Sequence, residues 1–237
     1  MDQKQIVPPT REEVWKLVDA AGELGGCGRD MVFLDAFTGL RRNGILALEY
    51  PDIDWTNKEI VINKAISKTK TTGGVRKWEW RIGPPKSRKS NRRVAAADAV
   101  LELLLRLRSE AKDPSGLIFL GPAGRRMDPD YFDEFIFGRI AAKAGLPGVR
   151  FHDLRHFFAS MLIAQGESAK YVCYQMGHSS IQVTFDTYGH LFPNSRGSAA
   201  RKLQQAMLTG RKKGFGSSLV AKPGKRGKKE ESGEDEG

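Results

Sequence analysis

Val14, Leu17 and Val18 recur at helical spacing in Arg11-Glu12-Glu13-Val14-Trp15-Lys16-Leu17-Val18, directly after Pro8-Pro9-Thr10. Thr10 suits an N-cap and Glu13, three residues on, completes a capping box, so a helix is predicted to start near residue 11. A second apolar run, Met31 to Phe37, ends at Thr38-Gly39, and a third, Ile45-Leu46-Ala47-Leu48, stops before Pro51. Arg41 and Arg42 are therefore expected at a junction between helices. From Asp52 to Val94 the period changes. Ile53, Trp55, Ile60-Val61-Ile62, Trp78 and Trp80 alternate with polar residues, and Thr56-Asn57-Lys58 and Thr72-Gly73-Gly74 read as turns, which predicts a small antiparallel sheet. Helical spacing returns from Ala97 to Ser109, lapses through Asp113-Pro114-Ser115-Gly116, and resumes from Pro129 to Ala144, before Gly145-Leu146-Pro147-Gly148. Short helices are expected beyond. The fold class is mainly α with a small antiparallel β-sheet (α+β), with no internal repeat.

Past about residue 209 the pattern stops. Arg211-Lys212-Lys213, then Lys225-Arg226-Gly227-Lys228-Lys229, then Glu230 to Glu236 form blocks of like charge with few apolar residues, which do not offset ordering entropy. Residues 1–209 are thus expected to fold and 210–237 to form a disordered charged tail. With 237 residues, 40% of them hydrophobic, the chain has material for a proper core. Its net charge of +11 points to a polyanion as partner, nucleic acid first and a membrane surface as the rival. No apolar run reaches the roughly 20 residues a bilayer requires, and Met1-Asp2-Gln3-Lys4-Gln5 lacks a signal-peptide pattern, so a cytoplasmic location is expected. Cys27 and Cys173 have neither metal-ligand spacing nor the density of a disulfide scaffold.

The candidate chemistry lies between His152 and Tyr188. If Asp153 to Ile163 is helical, as Leu154, Phe157, Phe158, Met161 and Leu162 imply, His152 and Arg155 share a face and both can reach one phosphate. Arginine forms two charge-assisted hydrogen bonds to phosphate oxygens and keeps its charge, while histidine exchanges protons near neutral pH. Taken alone, the pair reads equally as a helix-face histidine and a surface ion pair. His152 and His156 have a zinc-like spacing, but Asp153-Leu154-Arg155 lacks the glutamate base of a zinc peptidase and sets a cation beside the metal, so no metal is expected. Tyr188 follows His178 by ten residues; a phenol with a pKa near 10 needs cations or a base beside it to act as a nucleophile. Arg155, His152 and His178 are the available groups.

Thr38-Gly39-Leu40-Arg41, His152-Asp153-Leu154-Arg155-His156, Met176-Gly177-His178-Ser179-Ser180 and Asp186-Thr187-Tyr188-Gly189-His190 resemble, in order and spacing, the catalytic boxes of the tyrosine recombinases, the phage-integrase family. The resemblance covers about residues 10 to 195. It implies the catalytic-domain fold of those DNA breaking-rejoining enzymes, double-stranded DNA as substrate, and a tetramer assembled on it. Arg41 and Arg155 would hold the scissile phosphate, His152 and His178 would complete the pocket with His152 assisting proton movement, and Tyr188 would attack phosphorus. The product would be a 3′-phosphotyrosyl link and a free 5′-hydroxyl. In the family the general acid is a lysine on a β-hairpin; Pro84-Pro85-Lys86-Ser87-Arg88-Lys89-Ser90 resembles that segment, with Lys86 the best match and Lys89 the alternative. Lys68, Lys70, Arg88, Lys89, Arg92 and Arg93 are the expected DNA contacts. No cofactor is implied: the arginines supply the positive charge of a divalent ion, and the covalent link stores the phosphodiester energy without ATP.

The chain departs from the family at two places. An acidic residue often stands three positions after the first arginine, and here that position is Gly44. Full-length members carry a helical core-binding domain ahead of the catalytic one, and here the catalytic pattern begins near Thr10, so that domain is expected to be absent. Two other functions compete with recombination: a DNA-binding remnant that does not cut, and a type IB topoisomerase-like relaxer that uses the same chemistry without a partner subunit.

Overall fold

Thr10 and Glu13 close their capping box, with the Glu13 carboxylate accepting from the Thr10 amide at 2.7 Å and the Thr10 hydroxyl accepting from the Glu13 amide at 3.1 Å. They start α1 (Arg11–Leu24) where the sequence places it. The computed structural model describes residues 6–70, 78–84, 91–193 and 196–209. Next come α2 (Gly28–Thr38) and a single turn, α3 (Arg42–Ile45). The helix expected through Leu48 is cut short because the Leu48 carbonyl accepts from the Ile118 amide at 2.9 Å. Leu46, Ala47 and Leu48 are nonetheless buried, so their apolar run reports burial and not helical periodicity.

The stretch from Asp52 to Val94 forms two antiparallel sheets where one was expected. Strands β1 (Ile53–Asp54) and β2 (Glu59–Ile62) belong to one; β3 (Ala65–Lys70) and β4 (Trp78–Gly83) form a separate ribbon; and β5 (Arg92–Ala95) returns to the first, giving the order β1-β2-β5. Burial explains the split. Ile60, Ile62 and Val94 are core residues, whereas β3 buries Ile66 and then exposes Lys68, Thr69 and Lys70. On the ribbon, Lys68 lies opposite Trp80 and Lys70 opposite Trp78, with the ammonium groups 5.1 and 5.4 Å from the ring centroids. The turn expected at Thr72-Gly73-Gly74 lies outside the described residues.

Five further stretches complete the unit Met1–Phe192. They are α4 (Asp98–Glu110), the run of α5 (Pro129–Tyr131), a π-helical segment (Phe132–Phe137) and α6 (Gly138–Lys143), then α7 (Phe151–Ala164), α8 (Ala169–Met176) and α9 (Ile181–Tyr188). Helix α7 joins two cores. Its Leu154 packs in the large cluster with Leu34, Leu46 and Phe132, while Ala159 and Ile163 pack with Val172, Met176 and Tyr188. Arg155 and His156 sit where one cluster gives way to the other. A second unit, Pro193–Gly237, contains α10 (Arg196–Leu208). The tail expected at 210–237 lies outside the described residues, and among those described no helix is long and apolar enough to cross a membrane.

Candidate active site

The last turn of α8 presents carbonyl groups that the helix itself cannot satisfy, and these gather three guanidiniums. Arg92 Nε donates to the Gln175 carbonyl at 2.8 Å, Arg155 donates to the Met176 carbonyl, and Arg41 Nη2 donates to the Gly177 carbonyl at 3.2 Å. The negative end of the helix dipole thus offsets positive charge brought from β5, α7 and the residue preceding α3. Arg155 also donates to the carbonyl of Gly39, the left-handed residue that ends α2, so it ties two helix ends together. Gly177 has φ of 59°, and a Cβ there would stand 2.7 Å from Arg92 Nη1. Glycine is therefore required by backbone conformation and by the approach of Arg92.

Arg155 is 2% exposed and Arg92 6%, whereas Arg41 is exposed. Burial, then the charges of Arg41 and Arg92, lowers the Arg155 pKa to about 9, and burial followed by Arg41 lowers that of Arg92 to about 10. Both remain cations at neutral pH. Among the described residues no carboxylate lies within ion-pair distance of Arg41 or Arg155. Positive charge is held in readiness for an anion, and a groove of about 790 Å³ opens beside it, lined by Arg41, Arg42, Lys64, Lys68, Arg92 and His152 among others. Gly44 lines the same groove. A Cβ at Gly44 would meet only Ile62 Cγ2, at 4.0 Å.

Tyr188, the last residue of α9, is 1% exposed, and its hydroxyl lies 2.8 Å from His156 Nδ1. Its ring stacks on His178, with centroids 6.2 Å apart and planes inclined by 12°. His178 Nδ1 is 2.9 Å from the hydroxyl of buried Thr184, which leaves Nε2 for a ligand. His152 meets His156 edge-on at 5.1 Å. Burial raises the Tyr188 phenol to about 12, with Arg155 pulling the other way. Burial, then Arg155 and Arg41, lowers His178 to about 4. His152 is exposed as a whole residue, yet partial burial of its ring, followed by the charges of His156 and Arg155, also brings it to about 4. His156 is lowered as well, by burial first, with Asp153 opposing. All three imidazoles are neutral at neutral pH.

The structure brings Arg41, His152, Arg155, His178 and Tyr188 into one region. Lys86, Arg88 and Lys89 lie outside the described residues. Lys68 and Lys70 are exposed on the ribbon. Of the other expected DNA contacts, Arg92 is buried against α8 and lines the groove, and exposed Arg93 is engaged by Asp54 at 2.8 Å and Glu59 at 3.0 Å. Sequence spacing does not separate the two, because neighbours on a strand point to opposite faces and nothing local says which face is covered. In the sequence His156 stands in the box that begins at His152 and has a zinc-like spacing from it, without a role of its own. The available signal was its place one turn after His152 and next to Arg155. Asp35, 1% exposed in α2, gave no signal at all in the sequence.

A mainly α fold that gathers arginines, histidines and a tyrosine at one helix end has the architecture of DNA breaking-rejoining enzymes, and the chain belongs to the phage integrase family, whose model matches residues 10–195. It is 28% identical over 213 residues to a XerC-like tyrosine recombinase of Caldanaerobacter subterraneus subsp. tengcongensis, covering 83% of this chain and 54% of that protein. It is 31% identical over 226 residues to the ICEBs1 integrase of Bacillus subtilis, covering 87% of this chain and 58% of that one. The chain thus spans little more than half the length of these relatives. Among solved structures, the Tn1549 transposon integrase in complex with circular intermediate DNA matches with a TM-score of 0.68 at 23% identity, over 87% of this chain and 68% of that chain. The catalytic domain of bacteriophage HP1 integrase matches with a TM-score of 0.58 at 19% identity, over 86% and 98%. The observed fold, mainly α with small antiparallel sheets, is that of tyrosine recombinase catalytic domains, as expected apart from the division of the one expected sheet into two.

Proposed function

We propose that this protein is a site-specific DNA recombinase that cleaves and rejoins DNA through Tyr188. The observation that carries the reading is a buried phenol held against His156 and within the field of Arg155, beside a groove lined by Arg41 and Arg92. Arg41 and Arg155 hold the nonbridging oxygens of the scissile phosphate and stabilise the added charge of the pentacoordinate transition state. Tyr188 Oη bonds to phosphorus as the bond to the 5′-oxygen breaks. The departing oxygen takes a proton from Lys86, or from Lys89 if that residue occupies the hairpin position. A 5′-hydroxyl from another strand then reverses the step, which exchanges strands. Tyr188 is shielded from solvent, so α9 shifts toward the groove before its hydroxyl meets phosphorus.

Double-stranded DNA fits the charge, the groove and the ribbon lysines, and DNA is what the matched Tn1549 integrase holds. Exchange between two duplexes calls for several protomers, so the working form is a tetramer on DNA in the cytoplasm. Residues 1–209 form the catalytic part, and the basic portion of 210–237 adds contacts that are independent of DNA sequence. The test is a protein–DNA adduct that survives denaturant on nicked duplexes, from which the 5′ fragment's loss traps the intermediate. Wild-type protein gives the adduct and Tyr188→Phe gives none; the same adduct with Tyr188→Phe overturns the assignment. Arg155→Ala is expected to slow adduct formation about a hundredfold, a loss on the order of 3 kcal/mol. Sequencing the DNA captured by wild-type protein identifies the site.

A further inference from the structure

We infer that Asp130 and Asp133 stand in for DNA phosphates: in the free protein they occupy Lys68 and Arg42 beside the groove, and so hold down its affinity for DNA of any sequence. The inference rests on the reading of the groove as a DNA site and names two residues that limit how tightly that site grips. Among the described residues that line the groove, five are cations and Asp133 is the one carboxylate. The cations are held in different ways. Arg41 and Arg92 lean on carbonyls at the end of α8, and Lys64 is held by Glu49 and, at 3.0 Å, by Asp52. Arg42 and Lys68 reach instead to the run formed by α5 and the π-helical segment. Arg42 donates to Asp133 and, at 3.2 Å, to the Pro129 carbonyl, while the Lys68 ammonium stands 3.2 Å from Asp130.

The helix start does not require these two carboxylates. Asp128 is the N-cap of α5 and accepts from the Asp130 amide at 2.8 Å and the Tyr131 amide at 3.3 Å. Asp130 and Asp133 are three apart on the run and share a face, and that face meets cations of α3 and β3. Those two elements are themselves joined, because Asn43 accepts from Arg42 Nε at 3.0 Å and donates to the Ile66 carbonyl at 2.9 Å. Both ion pairs are solvated, with the Asp130 and Asp133 side chains 60% and 49% exposed. Pairs of this kind add little to stability and exchange readily for another anion. A carboxylate and a phosphate compete for the same donors, since each offers paired acceptor oxygens to a guanidinium fork or an ammonium. While a pair persists, its cation neutralises no phosphate and releases no counterion. Phosphate contacts carry no sequence information, so the restraint falls on sequence-independent binding.

The experiment uses the full chain and a fluorescein-labelled duplex of random sequence, with binding read by anisotropy between roughly 50 and 200 mM salt. Asp130→Asn and Asp133→Asn keep the size of the side chain and remove its charge. Each is expected to tighten binding about two- to fivefold and to steepen the slope of log affinity against log salt by up to about 0.9. Loss of any negative charge near DNA tightens binding somewhat. Glu134→Gln, in the same π-helical segment and without an ion pair among the described residues, sets that background. The deciding arms are two double-mutant cycles. With Arg42→Met in place, Asp133→Asn is expected to change affinity no more than Glu134→Gln does, and with Lys68→Met in place the same is expected of Asp130→Asn. The cycles are independent, so if one set of variants does not fold the other decides. Gains equal to that of Glu134→Gln, or gains that persist in full once the partner cation is gone, overturn the inference while the DNA reading stands. A lowered urea midpoint with an unchanged salt slope marks the pairs as merely structural and overturns it too. Wild-type protein that shows no salt-dependent binding to duplex DNA sinks both.

Discussion

Asp35 is 1% exposed, and neither of its carboxylate oxygens has a hydrogen-bond partner among the described residues. Burial raises its pKa well above 3.8, and Arg155 opposes the rise. The folded chain therefore keeps a proton that the unfolded chain gives up. This contribution to stability is complete below about pH 4 and is lost as pH rises through the folded pKa. Asn preserves size and does not titrate, so Asp35→Asn is expected to gain in melting temperature over wild type as pH goes from about 4 to 8. A constant difference across that range counts against a buried, titrating Asp35. His152 and His178 act with the opposite sign. With folded pKa values of about 4 against 6.5, the unfolded chain binds their protons first. Stability is full above 6.5 and falls as pH drops toward 4. At this scale the identities of Arg41, His152, Arg155, His178 and Tyr188 were legible from their boxes, whereas the pairing of His156 with Tyr188 required α7 and α9 to meet.

The end of α8 is the element on which the site depends. Successive carbonyls from Gln175 to Gly177 anchor guanidiniums from three distant segments, so a disturbance there moves all three. Gly177→Ala forces an alanine into the left-handed region and against Arg92. It is expected to cost about 1–3 kcal/mol in a urea melt and to slow adduct formation even though no reacting group is altered. Arg92→Met leaves the Gln175 carbonyl without this donor and is expected to destabilise by a similar amount; unchanged melts for both variants count against the anchoring role. Local signals gave the helices well, because a capping box, a Gly-ended helix and a periodic apolar stripe act within one or two turns. They failed at α3 and at the sheet. Leu48 gives its carbonyl to Ile118, and the split between two sheets follows from which strands find a core to cover.

For the molecule as a whole, a net charge of +11 predicts DNA affinity that falls steeply with salt. Lys68 and Lys70 stand exposed on the ribbon beside the groove. Lys70→Ala is expected to lower the slope of log affinity against log salt by about 0.9, measured by fluorescence anisotropy between roughly 50 and 200 mM salt, and Lys68→Ala by less, because Asp130 pairs with that ammonium at 3.2 Å. Arg93→Ala is expected to change it less, because Asp54 and Glu59 already neutralise that guanidinium. Equal slopes for Lys68→Ala, Lys70→Ala and wild type remove the ribbon from the DNA interface.

The sequence alone determined the helix-rich class, the basic character and the boxes proposed to carry the reaction, since each is written in spacing, charge or short motifs. Tertiary structure decided which charges face solvent and which are sequestered, as with Arg92 and Arg93, adjacent in the chain and opposite in fate. It also set the protonation of the site. Burial raises Tyr188 and keeps the histidines neutral, and burial arises only when α2, α7, α8 and α9 pack, from residues more than a hundred positions apart in the case of Gly39 and Arg155.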